Sequence, residues 1–348
     1  MTTTLGVLGA GGFIGQRMVE LLAADDRFTT VAIGRSAPKQ LPLGAIARRA
    51  DARDSTSLTQ ALTDCQAAVY CLAGNPSFVR KNATLVYQAA VAAGVKRLVY
   101  LSSAVVHGQN PATGTDERSP IRPNHAIAYN NAKVKAERSL LAQRAGTKTE
   151  VVIVRPGIVW GPRSSWVAAF ANAIADGVAY QADHGQGICN SVYVDNLVHG
   201  LTLAAITPGV DREAFVIGDA ETVTWADLYR PIAQAMGADF DALPNVETAA
   251  FRPSIKETLK ETLRGMRGVG TLLSAIQERR QKAQPTKPRP VLLPLNRELA
   301  DLYRCQWHLP IAKAADRLAY EPPVSFAEGC AKTVDWLKTS TTEALGHH

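Results

Sequence analysis

Tyr129 and Lys133 stand four residues apart in Tyr129-Asn130-Asn131-Ala132-Lys133. On a helix, positions i and i+4 share a face, so a phenol lies beside an ammonium. A neighbouring positive charge favours the phenolate and brings a tyrosine toward the working range of a general acid or base. With 9 Tyr in 348 residues the spacing alone is close to what chance supplies, and two unrelated residues on a solvated helix would look the same. Its meaning depends on what the rest of the chain places beside it.

The chain opens on a short apolar strand, Leu5-Gly6-Val7-Leu8, followed by Gly9-Ala10-Gly11-Gly12-Phe13-Ile14-Gly15 and helical periodicity over 16–24. Glycines at 9, 12 and 15, with another at 11, in a strand–turn–helix context point to a dinucleotide-binding turn. Such a turn needs unrestricted dihedrals, a close approach of backbone to pyrophosphate, and a helix N-terminus that favours the anion. A tight turn without ligand is the plainer alternative. Arg35 follows the second strand, 20 residues after Gly15. An acid at this distance would bond the ribose hydroxyls of NAD, whereas an Arg suits the 2′-phosphate of NADP. NADP(H) is therefore the expected cofactor and NAD(H) the alternative.

The elements that must position these groups alternate. Strands are expected at 29–33, 45–50, 67–72, 97–101 and 151–154. Helices are expected from Ser55 or Thr56 as cap through 62, over 78–93 with Gly94 closing it, and around Tyr129 to about 145. The strands are continuous apolar runs, the pattern of a parallel sheet covered on both faces. The fold expected is α/β, a Rossmann-type doubly wound parallel sheet. Ligands of such sheets bind at the carboxyl ends of the strands. The glycine turn, Arg35, Asp51, Ala73, Ser103 and Pro156 all follow strands, so they should gather along one edge that Tyr129 reaches from its helix. After residue 157 the alternation loosens, with helices at 166–175, 195–205 and 224–236 and strands at 191–194 and 215–217. Residues 1–165 with about 190–220 are expected to form the dinucleotide-binding domain. About 166–189 with 221–340 form a smaller, mostly helical substrate-binding part.

Composition bounds the rest. A hydrophobic fraction of 46% and a charged fraction of 20% suit a soluble globular enzyme. Five scattered cysteines, at 65, 71, 189, 305 and 330, include no Cys-x-x-Cys; they argue for buried small hydrophobes in a reducing cytosol and against a metal site. Met1-Thr2-Thr3-Thr4 has no basic n-region, and no run approaches a membrane span, so secretion and membrane insertion are not expected. The net charge of +7 is concentrated in 254–290, which holds nine Lys/Arg against three Glu. The remainder is almost neutral, which gives no reason to expect nucleic acid as a partner. The same basic segment is amphipathic, with Ile255, Leu259, Leu263, Met266 and Leu273 near helical spacing. It reads as a cap over an apolar substrate, with weak contact to an anionic membrane surface as the competing reading.

Taken in order, the motifs resemble the extended short-chain dehydrogenase/reductase family, which includes sugar-nucleotide epimerases and dehydratases and 3β-hydroxysteroid-dehydrogenase-like enzymes. The resemblance rests on Gly9-x-x-Gly12-x-x-Gly15, Asp51, Leu72-Ala73, Asn82, residues 101–108 (Leu-Ser-Ser-Ala-Val-Val-His-Gly), Tyr129-x-x-x-Lys133, residues 155–162 and Val192-Tyr193-Val194-Asp195-Asn196. It extends to residues 318–322 and Trp336, over about 240 residues in all, with 240–300 outside it. The resemblance implies that Tyr129 is the general acid/base, that Ser103 holds the substrate oxygen, with Ser102 the alternate hydroxyl, and that Lys133 bonds the nicotinamide ribose. Asn82 matches a residue tied to the family's proton relay. The implied cofactor contacts are Gly9, Gly11, Gly12, Phe13, Ile14, Gly15, Arg35, Asp51, Ala52, Leu72, Ala73, Tyr129, Lys133, Pro156 and Val159. A homodimer through the helices bearing Asn82 and Tyr129 is also implied.

Three departures matter. Arg35 replaces the acid common in NAD-using sugar enzymes. His107 replaces the usual Tyr of a Val-Tyr-Gly motif and is expected to line the substrate pocket or pack. Residues 187–191 lack the Arg that many sugar-nucleotide enzymes use on a diphosphate, although Arg163 is a candidate substitute. The expected activity is NADP(H)-dependent interconversion of a carbonyl and a secondary alcohol on a small-molecule substrate. The alternatives are a sugar-nucleotide epimerase or dehydratase with bound NAD(P), and a non-enzymatic NADP(H) sensor, for which Tyr129, Lys133 and Ser103 would be superfluous.

Overall fold

In a computed structural model that describes residues 2–36, 41–251, 292 and 294–345, the first half of the chain alternates as the apolar runs require. It reads β1 (Thr3–Leu8), α1 (Phe13–Ala23), β2 (Phe28–Gly34), β3 (Ile46–Arg49), α2 (Ser55–Leu62), β4 (Ala67–Tyr70), α3 (Pro76–Ala92), β5 (Arg97–Leu101), α4 (Ala128–Arg144) and β6 (Glu150–Pro156). Then come β7 (Ile158–Trp160), α5 (Ser165–Ala175), β8 (Gln181–Ala182), β9 (Ile188–Cys189), β10 (Ser191–Tyr193), α6 (Val194–Ile206), β11 (Ala214–Ile217), β12 (Val223–Thr224), α7 (Trp225–Ala235), β13 (Asn245–Val246) and α8 (Arg297–Tyr303). Helices Ala312–Leu318 and Phe326–Leu345 close the chain.

Seven strands form one all-parallel sheet in the order β11-β6-β5-β4-β1-β2-β3. Strand order reverses between β1 and β4, which pair with Leu8 opposite Tyr70. This is the switch point at which a doubly wound sheet opens a crevice. Side chains of the inner strands alternate between two cores. Leu98 and Tyr100 of β5 pack with Val86 of α3 and Ala136 of α4; Val99 and Leu101 pack on the other face with Met18 of α1 and Leu201 of α6. Because β4 and β5 are buried along their whole length, their sequences are apolar without alternation, except for Arg97 at the start of β5, which is paired with Glu150. Each fully buried Leu or Val contributes about 1.5–3 kcal/mol.

Local chemistry sets the helix ends. Asn75 accepts the N–H of Phe78 with Pro76 at the first turn of α3, and Gly94 takes a positive φ of 75° just beyond its end. The cap of α2 is Asp54, not Ser55 or Thr56. Its carboxylate accepts from the N–H groups of Thr56 and Ser57, and two acceptor oxygens serve two orphan donors where a hydroxyl serves one. Thr224 and Asp227 form a capping box on α7. The strand expected at 191–194 is β10; it pairs with β7 outside the main sheet.

A third core lies beyond the sheet, built on aromatic side chains of β7, α5, α7 and α8. Phe170 and Tyr229 stack with centroids 4.0 Å apart, and Trp225 meets Tyr303 edge-on at 4.8 Å. Among the described residues no helix is long and apolar enough to cross a membrane. The basic segment 254–290, and with it the cap and membrane-surface readings, lies outside the described residues.

Candidate active site

Gly9 leaves β1 with φ +90° and lies against the end of β4, where an added Cβ would stand 3.0 Å from the Cys71 carbonyl oxygen. Gly15 sits inside α1 above the same turn, and a Cβ there would come within 2.2 Å of the Gly9 carbonyl oxygen. Gly12 closes the turn by donating its N–H to Gly9 at 2.9 Å. Gly11 is exposed, with open space around it. The three spaced glycines therefore let the first turn of α1 lie on the strand ends, with Phe13 and Ile14 half-buried beside it. Phe13 packs on the third core and Ile14 on the sheet core.

Next along the edge, Arg35 follows β2 and is exposed. Gly34 pairs in register with Arg49 of β3, so the neighbouring strand end carries a second exposed Arg close in the sheet to Arg35. Asp51 accepts the N–H of Arg53 at 2.9 Å and shapes the loop after β3. Asn82, buried on α3, donates its amide to the Ala52 carbonyl and accepts the Tyr70 hydroxyl at 2.9 Å. Both ends of its side chain thus tie the β3 loop to the end of β4, where Leu72 is half-buried and Ala73 exposed.

Tyr129 and Lys133 share a face of α4, as their spacing requires. The Lys133 ammonium lies 5.7 Å from the Tyr129 ring centroid and 5.0 Å from that of Tyr100. Two successive residues at the end of β5 receive this helix. The Leu101 carbonyl accepts Lys133 Nζ at 2.8 Å, and the Ser102 hydroxyl donates to Glu137, one turn further along α4. Ser103 is half-buried and its hydroxyl meets the N–H of Val105 at a long 3.4 Å. Ser102 is therefore committed to the protein interior and Ser103 is the hydroxyl left for a ligand. The start of α4 is fixed to the same turn: His125 and Asn131 exchange two hydrogen bonds of 2.8 and 2.7 Å, and His125 Nε2 meets the Val106 carbonyl at 3.1 Å.

The charge balance differs from the expectation that Lys133 lowers the Tyr129 pKa. Burial pushes Tyr129 up to about 12, with the carboxylate of Glu298 on α8 adding to it. Burial also pushes Lys133 down to about 8, opposed by Glu137. The physical reason is that the ammonium is turned onto the Leu101 carbonyl and toward Glu137, so burial of the phenol outweighs its field.

The other expected residues fall in two groups. Pro156 ends β6, and Val159 on β7 touches both the sheet core and the third core. His107 accepts from Arg155 Nη1 at 3.2 Å through Nε2, and burial with the Arg155 charge pushes its pKa down to about 4. Arg155 has only donors, so Nε2 is the unprotonated nitrogen. The Arg163 guanidinium makes two 2.9 Å bonds to Glu20 of α1; it is engaged away from the Tyr129 group. The sequence reading missed Arg49, Glu298 and Glu137. Arg49 needed the register of β2 with β3, and Glu298 needed a contact across 189 residues with Gln109. Glu137 carried a signal, as the next i+4 step after Tyr129 and Lys133.

A family model described as the 3-beta hydroxysteroid dehydrogenase/isomerase family matches residues 6–244. A 3 beta-hydroxysteroid dehydrogenase/Delta 5-->4-isomerase of Mycobacterium tuberculosis is 33% identical over 156 residues, which are 42% of this chain and 41% of that protein. The chain thus spans about two fifths of the length of that relative. A UDP-glucose 4-epimerase of Vibrio cholerae is 26% identical over 262 residues, 70% of this chain and 79% of that protein. Among solved structures, a dTDP-glucose 4,6-dehydratase from Streptomyces venezuelae with NAD and TYD bound superposes with a TM-score of 0.70, covering 98% of each chain at 21% identity. A UDP-glucose 4-epimerase from Thermotoga maritima gives 0.67 at 20% identity, covering 97% of this chain and 100% of the other. At these identities the structures show a shared fold.

Proposed function

The chain belongs to the 3-beta hydroxysteroid dehydrogenase/isomerase family, an enzyme of the extended short-chain dehydrogenase/reductase type, and on that premise we propose that it interconverts a carbonyl and a secondary alcohol with NADP(H), using Tyr129 as general acid/base. The observation that carries this reading is the succession at the end of β5. Leu101 holds Lys133, Ser102 is spent on Glu137, and the half-buried Ser103 hydroxyl is left for a ligand.

The residues at the sheet edge fit the cofactor. The Gly9–Gly15 contact, too close for any Cβ at position 15, seats the first turn of α1 on the strand ends, and Gly11 leaves open space beside it. The N-terminus of α1 suits a pyrophosphate, and Arg35 with Arg49 suits a 2′-phosphate. Lys133 would hold the nicotinamide ribose, and Pro156 and Val159 would border the ring. When bound, the cofactor supplies or accepts the hydride. The protein's own part is the proton. In the reducing direction Tyr129 donates to the carbonyl oxygen as charge develops there, and in the oxidising direction it accepts that proton back. The Ser103 hydroxyl donates to the same oxygen and stabilises its charge. Lys133, cationic below about pH 8, supports the phenolate once the proton has left.

The family description and the mycobacterial relative favour an apolar alcohol such as a 3β-hydroxysteroid. The engagement of Arg163 by Glu20 points the same way, because it removes the guanidinium offered for a sugar-nucleotide diphosphate. A second reading, epimerase or dehydratase with bound NAD(P), is favoured by the Vibrio cholerae match over 70% of the chain. Tyr129→Phe tests the main reading: turnover of a 3β-hydroxysteroid probe should be lost while NADPH affinity stays near normal, and retained turnover would remove Tyr129 from the mechanism. Protection from heat by UDP- or GDP-sugars, absent with the steroid, would favour the second reading. The same proposal includes a homodimer through α3 and α4, which pack on one face of the sheet, and a cytosolic location, in keeping with five free cysteines.

A further inference from the structure

Behind Lys133 lies a buried chain of charge that neither the cofactor nor the substrate oxygen needs directly. Glu137 is 0% exposed and Arg155 5%. Arg155 Nη2 and Nε reach the two Glu137 carboxylate oxygens at 2.7 and 3.1 Å, a bidentate pair. Ser102 donates to the same carboxylate from the end of β5. The remaining Arg155 nitrogen, Nη1, donates to His107 and to the Glu117 carbonyl, and the Glu117 carboxylate accepts the N–H of Val216 on β11. The network thus joins α4, β5, β6 and β11 immediately under the strand ends.

Charged residues this deeply buried are costly to keep, and replacing such a pair by apolar groups is often neutral or stabilising. Their placement gives them a use. Glu137 sits one helical turn from Lys133 and holds, through Ser102, the strand end that presents Ser103. We propose that Glu137 and Arg155 are positioning residues for proton transfer at Tyr129: Glu137 keeps Lys133 cationic and Ser103 in register, and Arg155 limits how strongly it does so. This rests on the reading of Tyr129 and Lys133 given above.

The groups facing Lys133 separate cleanly. Cys71, at the end of β4, is pushed up to about 12 by burial, Tyr129 on α4 to about 12, and Tyr100 on β5 well above its ordinary value. Glu137 is the largest influence opposing the burial that brings Lys133 down to about 8. A titration near that pH therefore reports Lys133. With Glu137 neutralised, Lys133 loses an attracting charge and faces an unbalanced Arg155, so it deprotonates at lower pH. With Arg155 neutralised, an unbalanced Glu137 raises it. The two partners of one ion pair should move Lys133 in opposite directions, whereas damage to packing would not.

The test uses the full chain and the fluorescence of bound NADPH, titrated from pH 6.5 to 10. Wild-type affinity should weaken on the alkaline side with a midpoint that vanishes in Lys133→Met. In Glu137→Gln the midpoint should fall by about one unit, and in Arg155→Met it should rise. The double variant leaves no unpaired charge, so it should fold even where Arg155→Met does not, and its midpoint should lie between those of Glu137→Gln and wild type. Glu137→Gln and the double variant sharing the wild-type midpoint, or shifting together, overturns the proposal. A midpoint that survives Lys133→Met overturns the role of Lys133 itself, which separates failure of the underlying reading from failure of this one.

Discussion

Trp160 of β7 donates its indole N–H to Asp219, just past β11, at 2.9 Å, and three further donors converge on the same carboxylate. They are the Ser191 hydroxyl, the Tyr193 N–H and the Asn196 amide, each at 2.8 Å. Asn196 in turn exchanges two hydrogen bonds with the backbone of Val324. One buried carboxylate therefore fastens β7, β10, α6 and the closing segment to the main sheet. Asp219→Ala leaves four donors unmatched in a site 1% exposed. Stability should fall by on the order of 3 kcal/mol or more, read as a lower midpoint in urea. A loss under about 1 kcal/mol would show that water or a shifted side chain takes over the role.

Ser102 and Ser103 are adjacent and should respond oppositely. Ser103→Ala removes the hydroxyl proposed to stabilise the substrate oxygen, and kcat should drop about 10²–10³-fold with little change in melting temperature. Ser102→Ala removes a donor from the buried Glu137 carboxylate, which should cost about 1–2 kcal/mol of stability and lower turnover far less. Steady-state kinetics and thermal denaturation of the two variants check this together. If Ser102→Ala is the inactive one, the assignment of the substrate hydroxyl is reversed.

Much of this is legible in the sequence. Continuous apolar strands, glycines at the first turn and polar residues after each strand define a parallel sheet with its working edge, because backbone geometry leaves such patterns few other uses. The Tyr129–Lys133 face was equally legible, since helical period alone sets it. The charge of the pair was not. Whether Lys133 lowers Tyr129 depends on how deeply each is buried and on Glu137 and the Leu101 carbonyl, and spacing encodes none of these. Arg163 illustrates the same limit: a free guanidinium in the sequence is an ion pair with Glu20 in the fold. The cap of α2 was missed by one residue because Asp54 and Ser55 are both good capping types and only the backbone decides between them.

Arg35 and Arg49 should set cofactor choice jointly. Both are exposed and register brings the strand ends that carry them side by side. Arg35→Asp should weaken NADPH about tenfold or more and shift preference toward NADH, and Arg49→Ala should weaken NADPH while leaving NADH nearly unchanged. Fluorescence titration with both nucleotides is the check. A wild-type protein that already prefers NADH, or an Arg49→Ala variant that loses both nucleotides equally, would contradict the phosphate role.

His107 should make the fold acid-sensitive over a defined window. Its pKa is pushed from an ordinary 6.5 down to about 4 because burial and the Arg155 charge both oppose its protonation. Between those values the unfolded chain binds a proton that the folded chain does not. Stability is therefore complete above about pH 6.5 and is lost progressively as pH falls toward 4, with a slope from one group of at most about 1.4 kcal/mol per pH unit. His199 and His308 are also pushed down by burial and add to the acid sensitivity of the whole protein. His107→Asn isolates the single contribution: its side-chain oxygen can still accept from Arg155, but it takes up no proton in this range. Urea midpoints of the two proteins should coincide less and less as pH falls from 6.5 to 4.5, the variant losing less stability than wild type. Parallel curves across that range would mean that His107 already titrates normally in the folded protein, and that Arg155 does not hold it neutral.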